Sequence, residues 1–262
     1  MRQLADLEQR YVHSVYDAIA PHFAATRFAV WPRVRAFLEA LPPGALVADV
    51  GCGNGKYFGV RRDAFVLGSD RSEGLARVAV RRLEPAPAGE RLRADVAVAD
   101  GLALPYRGAS CDGALCIAVL HHIASPSRRL ALLAQLLRIL RPGGRALVTV
   151  WATEQENMRK VRGWRPGSAV ASGDYFVPWH LPFHRAEAAA AAREANDGAR
   201  QHAAAGEAAG AGAPAGPRLD GSKGAVVFQR YYHLFERGEL DGLVRRLPGA
   251  ALVDSFYDKD NW

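Results

Sequence analysis

"DVGCGNGKYFGV" (residues 49–60) places four glycines directly after the apolar run Ala45–Val50. Glycine is tolerated where the backbone turns sharply or where another molecule approaches it closely. Gly51, Gly53 and Gly55 follow a strand-like run, as the glycines of a nucleotide-binding loop do. Their GxGxG spacing differs from the GxGxxG of dinucleotide folds, and the GK[ST] of a phosphate loop is missing. Alone, the loop is equally compatible with a structural turn.

Apolar runs that predict strands alternate with helix-like segments on both sides of this loop. The predicted strands cover residues 45–50, 65–70, 94–100, 111–120 and 145–151, and the predicted helices cover 4–41, 72–83 and 125–140. Strands that are apolar throughout and joined by helices indicate a parallel sheet covered on both faces. Ligands bind such sheets outside the carboxyl ends of the strands, and the polar residues discussed below lie there.

The composition changes in the last third of the chain. Half of the 32 residues from Ala186 to Pro217 are alanine, which together with Gly and Pro predicts a flexible insert over 184–224. Core-like sequence then returns, with a strand at "YYHLF" (231–235), a helix over 238–247 and a last strand at "ALVDSFY" (251–257). We therefore expect a single domain over 1–262, with an N-terminal helical extension over 1–44.

Composition and charge narrow the class of protein. The 262 residues are 49% hydrophobic and carry a net charge of +7, which suits an anionic partner such as RNA without requiring one. We identify neither a membrane span nor a secretory signal, and Asp6 and Glu8 argue against a mitochondrial leader. Cys52, Cys111 and Cys116 lack metal-ligand spacing and are interpreted as buried thiols in a reducing compartment. We expect a protein of the cytoplasm, with the nucleus as a second compartment, and no metal site.

Three acidic residues surround the glycine loop. Asp70 follows Gly51 by nineteen residues and ends the second strand, the place of an acid that binds ribose hydroxyls. Asp100 ends the third strand and suits an adenine amino group, whereas Asp49 can face a positive charge on a ligand. Three acidic residues around one loop favour a cationic nucleoside such as S-adenosylmethionine over a pyrophosphate. The alternative is a set of solvated or helix-capping acids.

At these residues the chain resembles class I S-adenosylmethionine-dependent methyltransferases, and further motifs narrow the resemblance. The segments "GSDRS" (68–72), "VLHHI" (119–123) and "DNW" (260–262) are more specific than the glycine loop. Together with "TRFAVWP" (26–32), "LRPGG" (140–144), "FVPWHLP" (176–182) and "RYYHLFERGEL" (230–240), they resemble the eukaryotic tRNA wobble-uridine carboxymethyl methyltransferases. The resemblance covers nearly all of the chain except 156–174 and 184–224.

The resemblance implies a fold and a function. The fold is the α/β, Rossmann-like class I fold, with a mostly parallel seven-stranded sheet and helices on both faces. The reaction methylates the carboxylate of 5-carboxymethyluridine at the anticodon wobble position, and a small zinc-binding activator subunit completes a heterodimer. Two alternatives stay open: a methyltransferase acting on a small molecule, and a degenerate protein that binds tRNA or the activator without turnover.

Candidate cofactor residues follow from the loop, the strand ends and the resemblance. They are Asp49, Gly51, Gly53, Gly55, Asp70, Arg71, Asp100, Gly101 and Ile117. An ionised carboxylate needs no strong base to attack a sulfonium methyl group, so catalysis should consist mainly of alignment and charge placement. His121 and His122 end the fourth strand, and one of them can orient the acceptor; the alternative is a core or capping role. Arg27 can hold a carboxylate, although a surface ion pair is an equal alternative.

The remaining candidates concern the RNA substrate. Trp151 and Trp179 can stack a base, although most tryptophans simply pack. Arg230 and Tyr231 are candidates for RNA backbone contacts. The resemblance brings the C-terminal tail back towards the site, which makes Asn261 a catalytic candidate and Lys259 a uridine contact. A frayed terminus is the alternative for this tail.

Overall fold

The computed structural model describes residues 2–84, 91–156, 164–166, 173–193 and 216–262. The helices are α1 (Arg2–Glu8), α2 (Ser14–Thr26), α3 (Pro32–Glu39), α4 (Glu73–Arg82), α5 (Pro126–Ile139), α6 (188–193) and α7 (Glu239–Arg245). The strands are β1 (Leu46–Val50), β2 (Phe65–Asp70), β3 (Ala94–Val98), β4 (Cys111–Ile117), β5 (Leu140–Thr149), β6 (Arg165–Pro166), β7 (Asp174–Pro182), β8 (Arg218–Asp220) and β9 (Ala225–His233).

A parallel sheet with the strand order β3-β2-β1-β4-β5 forms the centre of the fold. Side chains of a strand alternate between the two faces of a sheet. Accordingly, Ala48 and Val50 pack with α5 on one face, whereas Val47 packs with α3 and α4 on the other. Burial on both faces explains why β1 is apolar almost throughout, as the sequence indicated.

The number of strands predicted for this sheet is wrong, because five strands pair in it and not seven. The expected last strand, "ALVDSFY" (251–257), forms no strand, and within it Val253 is 78% exposed. The expected strand at "YYHLF" is real in part, but it belongs to β9 and pairs antiparallel with β7 in a second sheet. That second sheet has the order β6-β7-β9-β8.

The N-terminal helices connect the two sheets. A π-helical segment (Gln9–His13) joins α1 to α2, and this continuous helix packs against β7 and β9 through Tyr11, Phe176 and Phe228. Glu8, which is 1% exposed, accepts hydrogen bonds from the Ala124 N–H at 2.8 Å and from Arg128. The helix is therefore fixed at one end to the segment that follows β4.

The C-terminal tail extends the central sheet beyond β5. The backbones of Val150 and Trp262 exchange hydrogen bonds at 2.8 and 2.9 Å, and the Ala152 N–H donates to Asp260 at 2.8 Å. On its other side, Trp151 accepts a hydrogen bond from the Phe235 N–H just after β9. The tail is thus held beside the end of β5, contrary to a frayed terminus.

Four further expectations concern the insert, membrane spans, metal sites and the cysteines. Most of the predicted insert, residues 194–215, lies outside the described residues. Within the described ranges, no helix is long and apolar enough to cross a membrane, and no cluster of His, Cys, Asp and Glu could hold a metal ion. Cys52, Cys111 and Cys116 are buried and free.

Candidate active site

A cavity of about 230 Å³ lies at the carboxyl edge of the central sheet. Residues that follow β1 to β5 line it, and α2 and β9 close it from the other side. The candidate residues that line this cavity are Arg27, Gly51, Gly53, Asp70, Arg71, Asp100, Gly101, Ile117, His121, His122, Trp151 and Arg230. Those that do not line it are Asp49, Gly55, Trp179, Tyr231, Lys259 and Asn261.

The glycine loop presents backbone to the cavity. Gly51 has a φ of 74°, and a Cβ there would lie 2.2 Å from Cγ2 of Val119, so a side chain is excluded. Gly53 has a φ of 55°, and its Cβ would meet nothing within 4 Å, so a ligand can approach the backbone there. Gly55 lies behind this surface, next to the ring of Phe58. Its contribution is to the turn.

Asp70 and Asp100 line the same cavity from the ends of β2 and β3. Asp70 accepts hydrogen bonds from the N–H groups of Gly53 at 2.8 Å and Ser72 at 2.9 Å. Burial raises the pKa of Asp70 to about 6, although these two hydrogen bonds oppose the rise. Asp100 accepts a hydrogen bond from the Leu102 N–H and lies 3.5 Å from Nη1 of Arg71. The two carboxylates thus face one ligand-sized hollow beside the glycine loop.

Asp49 takes a different place from the one expected. It is 1% exposed and its Oδ2 has no hydrogen-bond partner among the described residues. Burial and the neighbouring Asp70 raise the pKa of Asp49 to about 7. Because Asp49 does not line the cavity, it can act on a ligand only through its charge and not through a direct contact.

The two histidines that follow β4 are buried and neutral. Nδ1 of His122 lies 2.9 Å from the Tyr231 carbonyl, which can only accept, so Nδ1 carries the proton. Nδ1 of His121 accepts a hydrogen bond from the Trp151 N–H at 3.3 Å, which leaves the proton of that ring on Nε2. Burial lowers the pKa of His122 to about 3 and holds the pKa of His121 well below its usual value. His121 therefore brings a neutral N–H donor to the site.

A chain of hydrogen bonds connects His122 to β9. Since Nε2 of His122 carries no proton, the Tyr16 hydroxyl donates to it at 3.0 Å. The Tyr232 hydroxyl then donates to Tyr16 at 3.2 Å, and Nη1 of Arg230 donates to Tyr232 at 2.8 Å. His121 stacks on Tyr232 with ring centroids 4.7 Å apart. These contacts fix the orientation of the side chains at the β4 end of the cavity.

Two of the proposed substrate contacts are wrong because the side chains point elsewhere. Tyr231 is fully buried and donates to Asp174 at 2.8 Å, on the face of β9 opposite to Arg230. Trp179 packs against the guanidinium groups of Arg27 and Arg230, at 5.5 and 4.8 Å, and is only 8% exposed, so its ring is not available to stack on a base. Trp151 does line the cavity.

The tail residues lie near the cavity without lining it. Asn261 pairs with Trp151 through a backbone bridge, and its side chain donates to the Lys259 carbonyl at 2.8 Å. Lys259 has a φ of 46° and is part of the turn that makes this contact. The tail therefore supports Trp151, and the structure brings neither of these two side chains to the cavity.

Several residues that line the cavity were missed by the sequence analysis. Tyr16 and Tyr232 belong to a helix and a strand whose patterns indicated only packing. Lys56 directly follows Gly55, which was a usable signal; burial lowers the pKa of Lys56 to about 8. Its Nζ lies 4.9 Å from the ring centroids of both Trp31 and Tyr57.

The residues present fit S-adenosylmethionine on chemical grounds. The open space at Gly53 lets a ligand approach the backbone of the loop, and Asp70 offers a carboxylate to ribose hydroxyls. The buried oxygen of Asp49 without a partner adds negative potential near the loop, which favours a cation.

Comparisons with known proteins agree with this geometry. Residues 48–148 match the model of a methyltransferase domain. A tRNA (carboxymethyluridine(34)-5-O)-methyltransferase from Schizosaccharomyces pombe is 37% identical, over 98% of this chain and 96% of that protein. The protein of the same name from Arabidopsis thaliana is 34% identical, over 100% of this chain and 81% of that protein. The chain belongs to this family of tRNA carboxymethyluridine methyltransferases.

Family membership makes S-adenosylmethionine the cofactor of this enzyme. An S-adenosylmethionine-dependent methyltransferase from Methanosarcina mazei superposes with a TM-score of 0.55, covering 82% of this chain and 83% of that one. At 16% identity, this similarity concerns the fold alone, and it agrees with the class I assignment. Vertebrate relatives in the family are longer, and the chain spans 40% to 44% of their length.

Proposed function

We propose that this protein transfers a methyl group from S-adenosylmethionine to the carboxylate of 5-carboxymethyluridine at the anticodon wobble position of tRNA. Relatives whose full length the chain nearly matches carry the name of this activity. The observation that carries the proposal is a single cavity with Gly53 and Asp70 at one end and His121 and Arg230 at the other. The first pair suits the donor, and the second suits an anionic acceptor.

The reaction needs alignment more than acid–base catalysis. A carboxylate oxygen attacks the methyl carbon, the carbon–sulfur bond breaks, and its electron pair stays on sulfur. The acceptor is already ionised near neutral pH, so no proton has to be removed. Two neutral histidines agree with this requirement, since neither is poised as a base at physiological pH. His121 can instead donate its Nε2–H to an acceptor oxygen and thereby orient it.

Arg27 is placed for a different contact. It is exposed at the end of α2, where its guanidinium packs on Phe23 and Trp179 at 5.5 Å from each ring centroid. The residue lines the cavity and remains accessible from solvent. We propose that Arg27 holds an anionic group of the substrate at the cavity mouth, while the net charge of +7 attracts the tRNA.

A small zinc-binding activator subunit is the proposed partner. β3 is at the edge of the central sheet, and Val98 on this strand is 58% exposed. An exposed apolar edge strand is a template for pairing with another chain. We propose this edge as the contact surface, and we propose a cytoplasmic location, with the nucleus as a second compartment, because three buried free thiols suit a reducing environment.

The experiment that tests the function uses the full chain co-expressed with the activator. It is incubated with methyl-labelled S-adenosylmethionine and with tRNA that carries unesterified 5-carboxymethyluridine. Nuclease digestion and mass spectrometry should find the label in the methyl ester of that nucleoside alone. Label found only in small molecules would show a different acceptor, and S-adenosylmethionine binding without transfer would indicate a degenerate binding protein. A His180→Ala variant, altered on β7 outside the cavity, is the matched active control.

A further inference from the structure

Arg230 is a buried cation that lacks an anionic partner. The residue is 4% exposed in the middle of the second sheet. Its Nη1 donates to the hydroxyls of Tyr232 at 2.8 Å and Tyr16 at 3.4 Å, and its guanidinium lies over the ring of Trp179. Its Nε is buried with no hydrogen-bond partner. No carboxylate in the described parts of the chain forms an ion pair with it.

Arg129 shows that this fold provides carboxylates where an arginine has a structural role. The Arg129 side chain is likewise buried, at 2% exposed, but it lies 3.5 Å from Glu239 and 4.0 Å from Asp174. Its Nε donates to the Ile123 carbonyl at 2.9 Å. A buried charge without a partner is strongly destabilising. Within the described residues Arg230 has hydroxyl and aromatic neighbours where Arg129 has carboxylates, so an anionic ligand would supply the counter-ion that a structural arginine obtains from the fold.

We propose that Arg230 is the receptor for the carboxylate of the acceptor, so that the enzyme selects an acidic uridine substituent because that substituent provides the counter-ion for the buried guanidinium. This inference rests on the proposed function and names the residue responsible for acceptor choice. A guanidinium binds a carboxylate through two parallel hydrogen bonds, and the unpartnered Nε–H is one donor of such a pair.

Arg230 contacts residues at the β4 end of the cavity. Its partners Tyr16 and Tyr232 connect to His122, which follows β4, and within the described residues Arg230 forms no hydrogen bond with the loops after β1, β2 or β3. Asp70 ends β2, and β2 and β4, with β1 between them, are separated by roughly 10 Å because adjacent strands lie about 4.8 Å apart. The methionine part of the donor also ends in a carboxylate, and the experiment below distinguishes the two sources.

The hydroxyl network explains how Arg230 stays oriented. The hydroxyl proton of Tyr232 points to Tyr16, and the hydroxyl proton of Tyr16 points to His122. Both oxygens therefore present only lone pairs to the guanidinium. Nη1 is thereby fixed, and the buried Nε is left without a hydrogen-bond partner. A neutral amide in place of the carboxylate would leave the buried charge unpaired, and sites of this kind reject such analogues strongly.

The test compares two anticodon stem-loops that differ at one group. One carries 5-carboxymethyluridine at the wobble position and the other carries its neutral amide, 5-carbamoylmethyluridine. Affinities are measured with the full chain and its activator, saturated with S-adenosylhomocysteine. We expect the wild type to prefer the acid at least tenfold, and Arg230→Met to bind both equally. Arg230→Lys keeps the charge but loses the paired donors of the guanidinium, so its preference for the acid should lie between those of the wild type and Arg230→Met.

Two results would overturn the proposal. An acid preference that persists in Arg230→Met would place the receptor elsewhere. A tenfold loss of S-adenosylhomocysteine affinity in the same variant would mean that Arg230 holds the donor carboxylate. Failure of the proposed function would look different, because the wild type itself would then neither methylate the acid stem-loop nor prefer it.

Thermal unfolding separates a binding role from a structural one. Arg230→Met should keep or raise the melting temperature, since a long apolar side chain replaces an unpaired charge. Arg129→Met should lower the melting temperature, because it removes a buried guanidinium that lies beside two acids. If Arg230→Met is destabilised as much as Arg129→Met, Arg230 is a structural residue and the proposal is wrong.

Discussion

His121 contributes a hydrogen-bond donor to the site and no charge, because burial lowers its pKa and its Nδ1 accepts from the Trp151 N–H. We expect His121→Ala to bind S-adenosylhomocysteine as the wild type does but to lose about 10²-fold in single-turnover rate, the usual cost of one oriented donor. His180→Ala is the control. Equal rates for the two variants, or weaker cofactor binding in His121→Ala, would show that His121 does not orient the acceptor.

Asp49 and Asp70 make donor binding depend on pH. Their pKa values are raised to about 7 and about 6, so both are increasingly protonated as the pH falls below 7. The cationic donor favours their ionised forms. We expect the affinity for S-adenosylmethionine to rise by about tenfold between pH 6 and pH 8.

Calorimetry with two ligands checks this pH dependence. S-adenosylhomocysteine lacks the sulfonium charge and should show a much shallower dependence on pH. Asp49→Asn should remove the part of the rise near pH 7. Parallel curves for the two ligands would show that these acids do not sense the charge of the donor.

At the level of residues, strand ends were predictable and strand faces were not. Gly53, Asp70 and Asp100 could be placed because the carboxyl ends of parallel strands converge on one edge. Tyr231 was misplaced because a shift of one residue along a strand reverses the face, and nothing in "RYYH" indicates which residue points inward. Tyr16 was missed because a helical apolar pattern does not distinguish a core residue from one that lines a cavity.

At the level of elements, a buried charge cluster holds the second sheet against α5 and α7. His233 contacts Asp174 and Glu239 through its two ring nitrogens, at 2.8 and 2.9 Å, and Arg129 lies beside both acids. Both ring nitrogens must donate, so the ring is charged, and these two acids raise the pKa of His233 despite burial. The cluster fixes the end of β9 at His233, the residue that follows Tyr232.

This cluster predicts how stability changes with pH. Because the folded-state pKa of His233 is raised, its contribution is complete below the unfolded value of about 6.5 and is lost as the pH rises through the folded value. We expect His233→Gln to cost about 2 kcal/mol of unfolding free energy at pH 6, and less at pH 9. Urea unfolding of both proteins at the two pH values measures this difference. A cost that grows with pH would contradict a charged His233.

The elements of the central sheet followed from the sequence, and those of the second sheet did not. Continuous apolar runs marked β1, β2 and β4, and Ser72 and Ser125 accept the hydrogen bonds that begin α4 and α5. β7 was not recognised as a strand because Pro178 interrupts its pattern. Residues 251–257 have strand-like composition but pair with no strand in the described parts of the chain, and Val253 is exposed.

At the level of the whole molecule, the two sheets meet where the chain leaves β9. Phe235 pairs with Trp151 and Thr153 just beyond β5, and Asp260 and Trp262 pair with the other edge of the same segment. The N-terminal helix is fixed to the segment after β4, because Tyr16 hydrogen-bonds to His122 and Glu8 accepts a hydrogen bond from the Ala124 N–H. The cavity therefore has a donor end on the central sheet and an acceptor end on the second sheet.

The central claim is that the donor lies along the carboxyl edge of the central sheet, held at Gly53 and Asp70. A crystal structure of the full chain with S-adenosylhomocysteine tests it most directly. We expect the ribose hydroxyls at about 2.7 Å from the Asp70 carboxylate and the adenine beside Asp100. A ribose bound elsewhere in the molecule, or turned away from Asp70, would contradict it.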